Sequence, residues 1–164
     1  MVTQKRLKEL FDYDPDTGVF KRIKRVTGRK GNIGNIAGSL KTNGYINIFI
    51  DRKQYLAHRL AWLYQYGEFP AQMVDHIDGD KSNNKITNLR EATRNQNNYN
   101  ATLSKRNKSG CKCVYKDKVR NQWVVEIKKD NKKNHIGRFY KFEDAVKAYK
   151  KHAELLHGEF VNYG

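Results

Sequence analysis

Long apolar runs, cysteine, proline and acidic charge are all scarce in this 164-residue chain, and each scarcity excludes something. No stretch approaches the ~18–20 consecutive apolar residues that a membrane-spanning helix needs, so no span is expected. The opening MVTQKRLKELF lacks the apolar stretch of a secretory signal, and a cytosolic protein is expected. Two cysteines, Cys111 and Cys113, cannot make a disulfide framework, and a bond across one intervening residue would be strained. A zinc site would need two further ligands, for which His135 and His152 are candidates only if folding converges them. Alternation instead places both thiols on one face of a strand, as small buried hydrophobes. The length suits one medium domain or two small ones.

Acids are outnumbered: 33 Lys and Arg stand against 17 Asp and Glu, a formal charge of +16. The excess is shared, +7 over residues 1–103 and +9 over residues 104–164, so both parts are drawn to a polyanion in a salt-sensitive way. The basic residues interleave with Tyr, Asn and Gly and form no basic amphipathic helix, which disfavours a membrane surface.

Local patterning predicts a short helix over 3–11, a turn at Tyr13–Gly18 and a strand from Val19 to Ile23. Residues 27–44 read as a Gly- and Asn-rich loop with a short strand inside. Tyr45 to Ile50 alternates, Asp51-Arg52-Lys53 turns, and Gln54 to Ala57 returns as a hairpin. His58 to Tyr66 reads as a helix stopped by Gly67. Met73–Ile77, a polar loop, Asn88–Arg90 and a helix capped by Thr93 and running to about Ala101 make a compact ββα unit. Polar residues 103–110 mark a flexible linker. Strands at Lys112–Lys116, Trp123–Lys128 and Asn134–Phe139 then precede a helix from Phe142 to His157, closed by Gly158 in the left-handed conformation.

Chemistry concentrates in the segment from Val74 to Asn97. Hydrolysing a phosphodiester needs an activated water, a cation on the phosphate and stabilisation of the leaving oxygen. A histidine titrates near neutrality and can take a proton from water, as His76 would. Asp75 beside it and an amide oxygen from Asn97 offer the hard ligands that Mg²⁺ or Mn²⁺ favours. A calcium loop at Asp78, Asp80 and Ser82 fails, because Asn83 and Leu89 stand where that motif needs Gly and Glu.

Residues 45–100 resemble HNH nucleases of phage homing type, on Val74-Asp75-His76-Ile77-Asp78-Gly79, Asn88-Leu89-Arg90-Glu91-Ala92-Thr93 and the helix start His58-Arg59-Leu60-Ala61-Trp62. The likeness extends loosely back to Leu7 through Asp14-Pro15-Asp16-Thr17-Gly18 and Gly44-Tyr45. It implies a ββα-metal fold, DNA cleavage leaving 5′-phosphate and 3′-hydroxyl ends, His76 as general base, and Asp75 as a metal ligand. It also implies that Asn88 holds the loop and orients His76, and that Asn97, in place of the final His, is the second ligand. The all-oxygen set favours one Mg²⁺ or Mn²⁺ over zinc. For His58 a structural and a direct role both stand, and Arg59 is a candidate phosphate contact.

Residues 109–163 are similar to the plant ethylene-response-factor (apetala-two) type of DNA-binding domain. The matching residues include Trp123-Val124-Val125-Glu126-Ile127, Ile136-Gly137-Arg138-Phe139 and His157-Gly158-Glu159-Phe160. The resemblance implies a sheet laid in the major groove, with Lys112, Tyr115, Gln122, Lys128, Lys133 and His135 as contacts. Cys113 replaces a glycine of that pattern. The expectation is therefore an α+β protein: an HNH nuclease domain over 1–103, then over 104–164 a small three-stranded antiparallel sheet packed on one helix. Its partner would be double-stranded DNA, bound as monomer or homodimer, with a nicked strand natural for a monomer. Rival readings are a non-catalytic DNA-binding regulator and an RNA-binding protein, the latter lacking any RNA-recognition signature.

Overall fold

The computed structural model describes residues 1–25 and 32–163, and the expectation for 27–31 lies outside them. It divides into two compact units, Met1–Ala92 and Thr93–Gly164. Both mix helix with small antiparallel sheets, the α+β class expected. No helix among the described residues is long and apolar enough to cross a membrane.

In the first unit, helix α1 (Gln4–Leu10) starts where the Thr3 side chain accepts from the Arg6 amide, and it buries Leu7 and Leu10. Strands β1 (Phe11–Asp14) and β2 (Val19–Arg22) form a hairpin whose alternate residues Phe11, Tyr13 and Phe20 enter the core. A sheet of β3 (Ser39–Leu40), β4 (Ile46–Ile50) and β5 (Lys53–Leu56) follows. Its β4–β5 turn puts Asp51 and Arg52 at positive φ, the primed geometry that matches strand twist. Helix α2 (Ala57–Tyr66) packs Leu60, Ala61 and Leu63 into the same core and ends at Gly67, whose φ of 87° is one a glycine adopts freely. Strands β6 (Met73–His76) and β7 (Leu89–Ala92) then pair, with Asp75 opposite Arg90 and His76 opposite Leu89.

The second unit begins with helix α3 (Arg94–Asn100), capped by reciprocal Thr93–Gln96 hydrogen bonds. Strands β8 (Val114–Asp117), β9 (Gln122–Lys129) and β10 (Lys132–Phe139) form a meander, and helix α4 (Phe142–His157) covers one face of it. Val125, Ile127, Ala145, Tyr149 and Ala153 are the centre of that core.

Four expectations need correction. The division falls before α3 rather than after residue 103, because α3 packs with the second unit: Tyr99 stacks on His157 at 3.8 Å and Asn162 donates to the Asn100 carbonyl. Within 103–110, Asn107 folds its end into an ordered turn, its Oδ1 accepting from the Ser109 and Gly110 amides. Cys111 and Cys113 precede β8 instead of lying on a strand, and Cys113 takes φ 58° where glycine would be unstrained. Gly158 has positive φ, but its ψ of −133° is not that of the left-handed helix; a 3₁₀ turn continues the chain there.

Candidate functional site

Strand β6 buries three residues in succession, Val74, Asp75 and His76, so both of its faces are covered and two polar side chains are taken from water, which a hydrophobic core alone would reject. Asp75 is reconciled with burial by Arg90 on the neighbouring strand, whose Nε and Nη2 both reach Oδ2, at 3.0 and 2.9 Å. His76 is 5% exposed. His58, at the start of α2, meets it edge-on with ring centroids 5.0 Å apart, and Tyr45 lies against both imidazoles. Lys81 sits over the outer side of the Tyr45 ring.

Burial holds both histidines below the ordinary imidazole value. His58 is pushed down to about 3 by desolvation, with positive charge on His76 and Arg59 adding to it. His76 is lowered by desolvation, which its hydrogen bond to Asn84 and the carboxylates of Asp78, Asp75 and Asp80 partly offset. A neutral imidazole near pH 7 is the form that can accept a proton.

The polar loop after β6 is held by its own side chains. Asp78 accepts from the Asp80 amide, from Asn83 Nδ2 and from Asn88 Nδ2, and Asp80 accepts from the Ser82 amide and hydroxyl. These bonds draw both carboxyls below the usual range, desolvation opposing them. Asn88 closes the loop from the far end: its Oδ1 accepts from the Asp78 amide, its Nδ2 donates to the Asn83 carbonyl, and its own carbonyl takes the Ile77 amide. The group on the His76 ring itself is Asn84, with Oδ1 3.3 Å from Nε2. In the sequence Asn84 is one residue of a polar loop, with nothing to single it out. Its burial to 1% exposure is set by contacts 71 residues away, which no local pattern shows.

Asn97 lies on α3, in the second unit. Arg59 turns its guanidinium over Phe69 and donates to the Pro70 and Gln72 carbonyls, a use within its own unit. Among the described residues no group of three or more His, Cys, Asp or Glu could hold a metal ion. Mg²⁺ does not require such a group: one or two carboxylates suffice, with waters and substrate phosphate completing the shell. The buried Asp75 carboxylate fits that demand. It does not suit the soft, closed coordination of structural zinc.

In the second unit, register assigns Tyr115, Gln122, Lys128 and Lys133 to the sheet face away from α4, with His135 paired to Glu126 on that face. Arg138, opposite Val124, joins them and was not foreseen. Glu126 stands in the middle of this basic face, 3.8 Å from both Lys133 and His135. Lys112 stands apart: it precedes β8 and its Nζ donates to the Asn162 carbonyl at 2.6 Å.

With this geometry described, known proteins supply a context. The HNH endonuclease family matches residues 55–99. Protein 3.8 of Escherichia phage T7 is 30% identical over 107 residues, covering 65% of this chain and 88% of that protein. An uncharacterized HNH endonuclease of Acanthamoeba polyphaga mimivirus is 36% identical over 96 residues, covering 58% of this chain and 49% of its own, so the chain spans about half of that relative. A solved structure concerning DNA binding and cleavage by the HNH homing endonuclease I-HmuI superposes with a TM-score of 0.42 and 22% identity, covering 92% of this chain and 85% of that one.

Proposed function

We propose that the chain, whose residues 55–99 match the HNH endonuclease family, is a divalent-metal-dependent DNA endonuclease of homing type, acting in the cytoplasm of a phage-infected cell. The observation that carries the reading is the buried Asp75-His76 pair, one residue ion-paired to Arg90 and the other bonded to Asn84 and packed against His58, beside a loop pinned by Asn88.

His76 takes the proton from the attacking water, and Asn84 Oδ1 steadies its ring as charge arrives. Asn88 keeps the Asp78–Asn83 loop closed behind it. Asp75 would hold the cation, with waters and substrate phosphate completing its shell. Its chemistry when bound is Lewis-acid stabilisation of the phosphate and the departing 3′ oxygen. Arg90 limits how far the Asp75 carboxylate can turn. The second unit contributes DNA affinity through Tyr115, Gln122, Lys128, Lys133, His135 and Arg138, in the manner of an ethylene-response-factor domain. Its central Glu126 and the absence of arginine at most of these positions favour backbone contacts over bidentate base reading.

Conversion of supercoiled plasmid, with Mg²⁺, Mn²⁺ or EDTA, tests this. Nicked or linear product that EDTA abolishes is the expected result, and the ratio of the two reports how many strands are cut. Binding without cleavage under any metal would support a DNA-binding regulator instead.

A further inference from the structure

We propose that Asn84 is a positioning residue for His76, and that the N-terminal β1–β2 hairpin holds Asn84 in place. The inference rests on the reading of His76 as the general base. Three polar groups of Asn84 are used in three different directions. Its Nδ2 donates to the Ser82 carbonyl at 3.0 Å, its Oδ1 faces His76 Nε2, and its main-chain carbonyl accepts the Tyr13 hydroxyl at 2.7 Å. An amide nitrogen committed to Ser82 leaves the oxygen for the imidazole. A carbonyl oxygen has no proton to give, so the contact favours ring forms that carry a proton on Nε2, including the imidazolium that follows proton abstraction.

The hairpin reaches the main chain of residues 84–86 at three points. Besides the Tyr13 bond, the Pro15 carbonyl accepts the Ile86 amide at 3.1 Å. Gly18 lies so close that a Cβ there would be 2.5 Å from the Asn84 carbonyl carbon and from the Lys85 nitrogen. The side-chain bonds of Asp78, Asp80 and Asn88 hold the loop up to Asn83, whereas the main chain at 84–86 is braced by Tyr13, Pro15 and Gly18. The edge-on His58 ring and Tyr45 restrain the plane of the His76 imidazole, and Asn84 selects the nitrogen that bears hydrogen. The hairpin lies outside residues 55–99, the stretch matched to the nuclease family, and here it acts as a brace on the base.

The test uses the full chain and the variants Asn84→Ala, Asn84→Asp and Tyr13→Phe. Three quantities are measured: single-turnover cleavage at saturating DNA, DNA affinity, and the ¹⁵N imidazole resonances of His76. Asn84→Ala is expected to slow cleavage by ~10–100-fold, the usual effect of losing an orienting partner, with affinity unchanged and the His76 resonances moved away from the Nε2–H pattern. Asn84→Asp, which keeps an acceptor oxygen, restores most of the rate and the pattern. Tyr13→Phe keeps its ring in the core and loses about fivefold, with a smaller shift in the same direction. It carries the test alone if Asn84→Ala does not fold. Unchanged His76 resonances in folded Asn84→Ala or Tyr13→Phe would overturn the proposal, whatever happened to the rate. Full cleavage by His76→Ala would instead remove the general-base reading, and the resonances would still report whether Asn84 and Tyr13 orient the ring.

Discussion

Replacing His58 by Gln removes a buried group that the fold keeps neutral, and the consequence for acid stability can be worked out. In the unfolded chain this imidazole titrates near its ordinary value of about 6.5. In the fold it is 5% exposed and its value falls to about 3, with His76, Arg59 and Tyr45 around it. The folded value is depressed, so the unfolded state binds the extra proton. The contribution is therefore fully present above about pH 6.5 and is lost as pH falls from there toward about 3. Between pH 7 and pH 5 the loss attributable to His58 is about 2 kcal/mol. His76, lowered in the same direction, adds to the wild-type loss and is retained in the variant. Urea unfolding at the two pH values measures this. The chain has two tryptophans, so a Trp123→Phe background leaves Trp62, on the same helix as His58, to report on the first unit. His58→Gln should lower stability at pH 7 by losing its ring packing, yet lose about 2 kcal/mol less than wild type on going to pH 5. Equal acid losses in the two proteins would refute the assignment of His58 as a neutral buried histidine.

Other perturbations have equally definite outcomes. Arg90→Met strips the cation from the 3%-exposed Asp75 and should cost about 3–5 kcal/mol in urea unfolding; a loss below about 1 kcal/mol would mean that the pair is not the main compensation for that charge. Gly18→Ala meets both a φ of 74° and the Asn84–Lys85 backbone, so its melting temperature should fall by an amount equivalent to about 1–3 kcal/mol, and an unchanged melt would contradict the close approach. Lys133→Ala should weaken DNA binding and lower the slope of log K against log salt by about 1, whereas Glu126→Gln should tighten binding; salt titrations by fluorescence anisotropy distinguish these from no effect.

Much of this architecture is legible in the sequence because its determinants are local. The alternation in Ile46–Ile50, the stop at Gly67, the Thr93–Gln96 cap and the apolar stripe of α4 each act within a few residues, and each appears where its pattern predicts. The adjacency of Asp75 and His76 is likewise visible by eye. The features that escaped depend on distant contacts. Asn84 looks like one more turn residue until Tyr13 and Gly18 close on it. The Tyr99–His157 stack, which joins α3 to the second unit, links residues with no shared pattern. Lys112 resembles its basic neighbours, but its partner is the Asn162 carbonyl near the other end of that unit. The left-handed φ of Cys113 is uncommon for any residue with a Cβ, so the alternation that pointed to a strand there gave no sign of it.

The central claim is that His76 activates the water. It is tested most directly by single-turnover cleavage of DNA already bound, with Mg²⁺ present, by wild type and by His76→Ala at equal occupancy. The account predicts a rate lower by ~10²–10⁴-fold in the variant with DNA affinity retained. Cleavage by His76→Ala at the wild-type rate would contradict it and move the general base elsewhere.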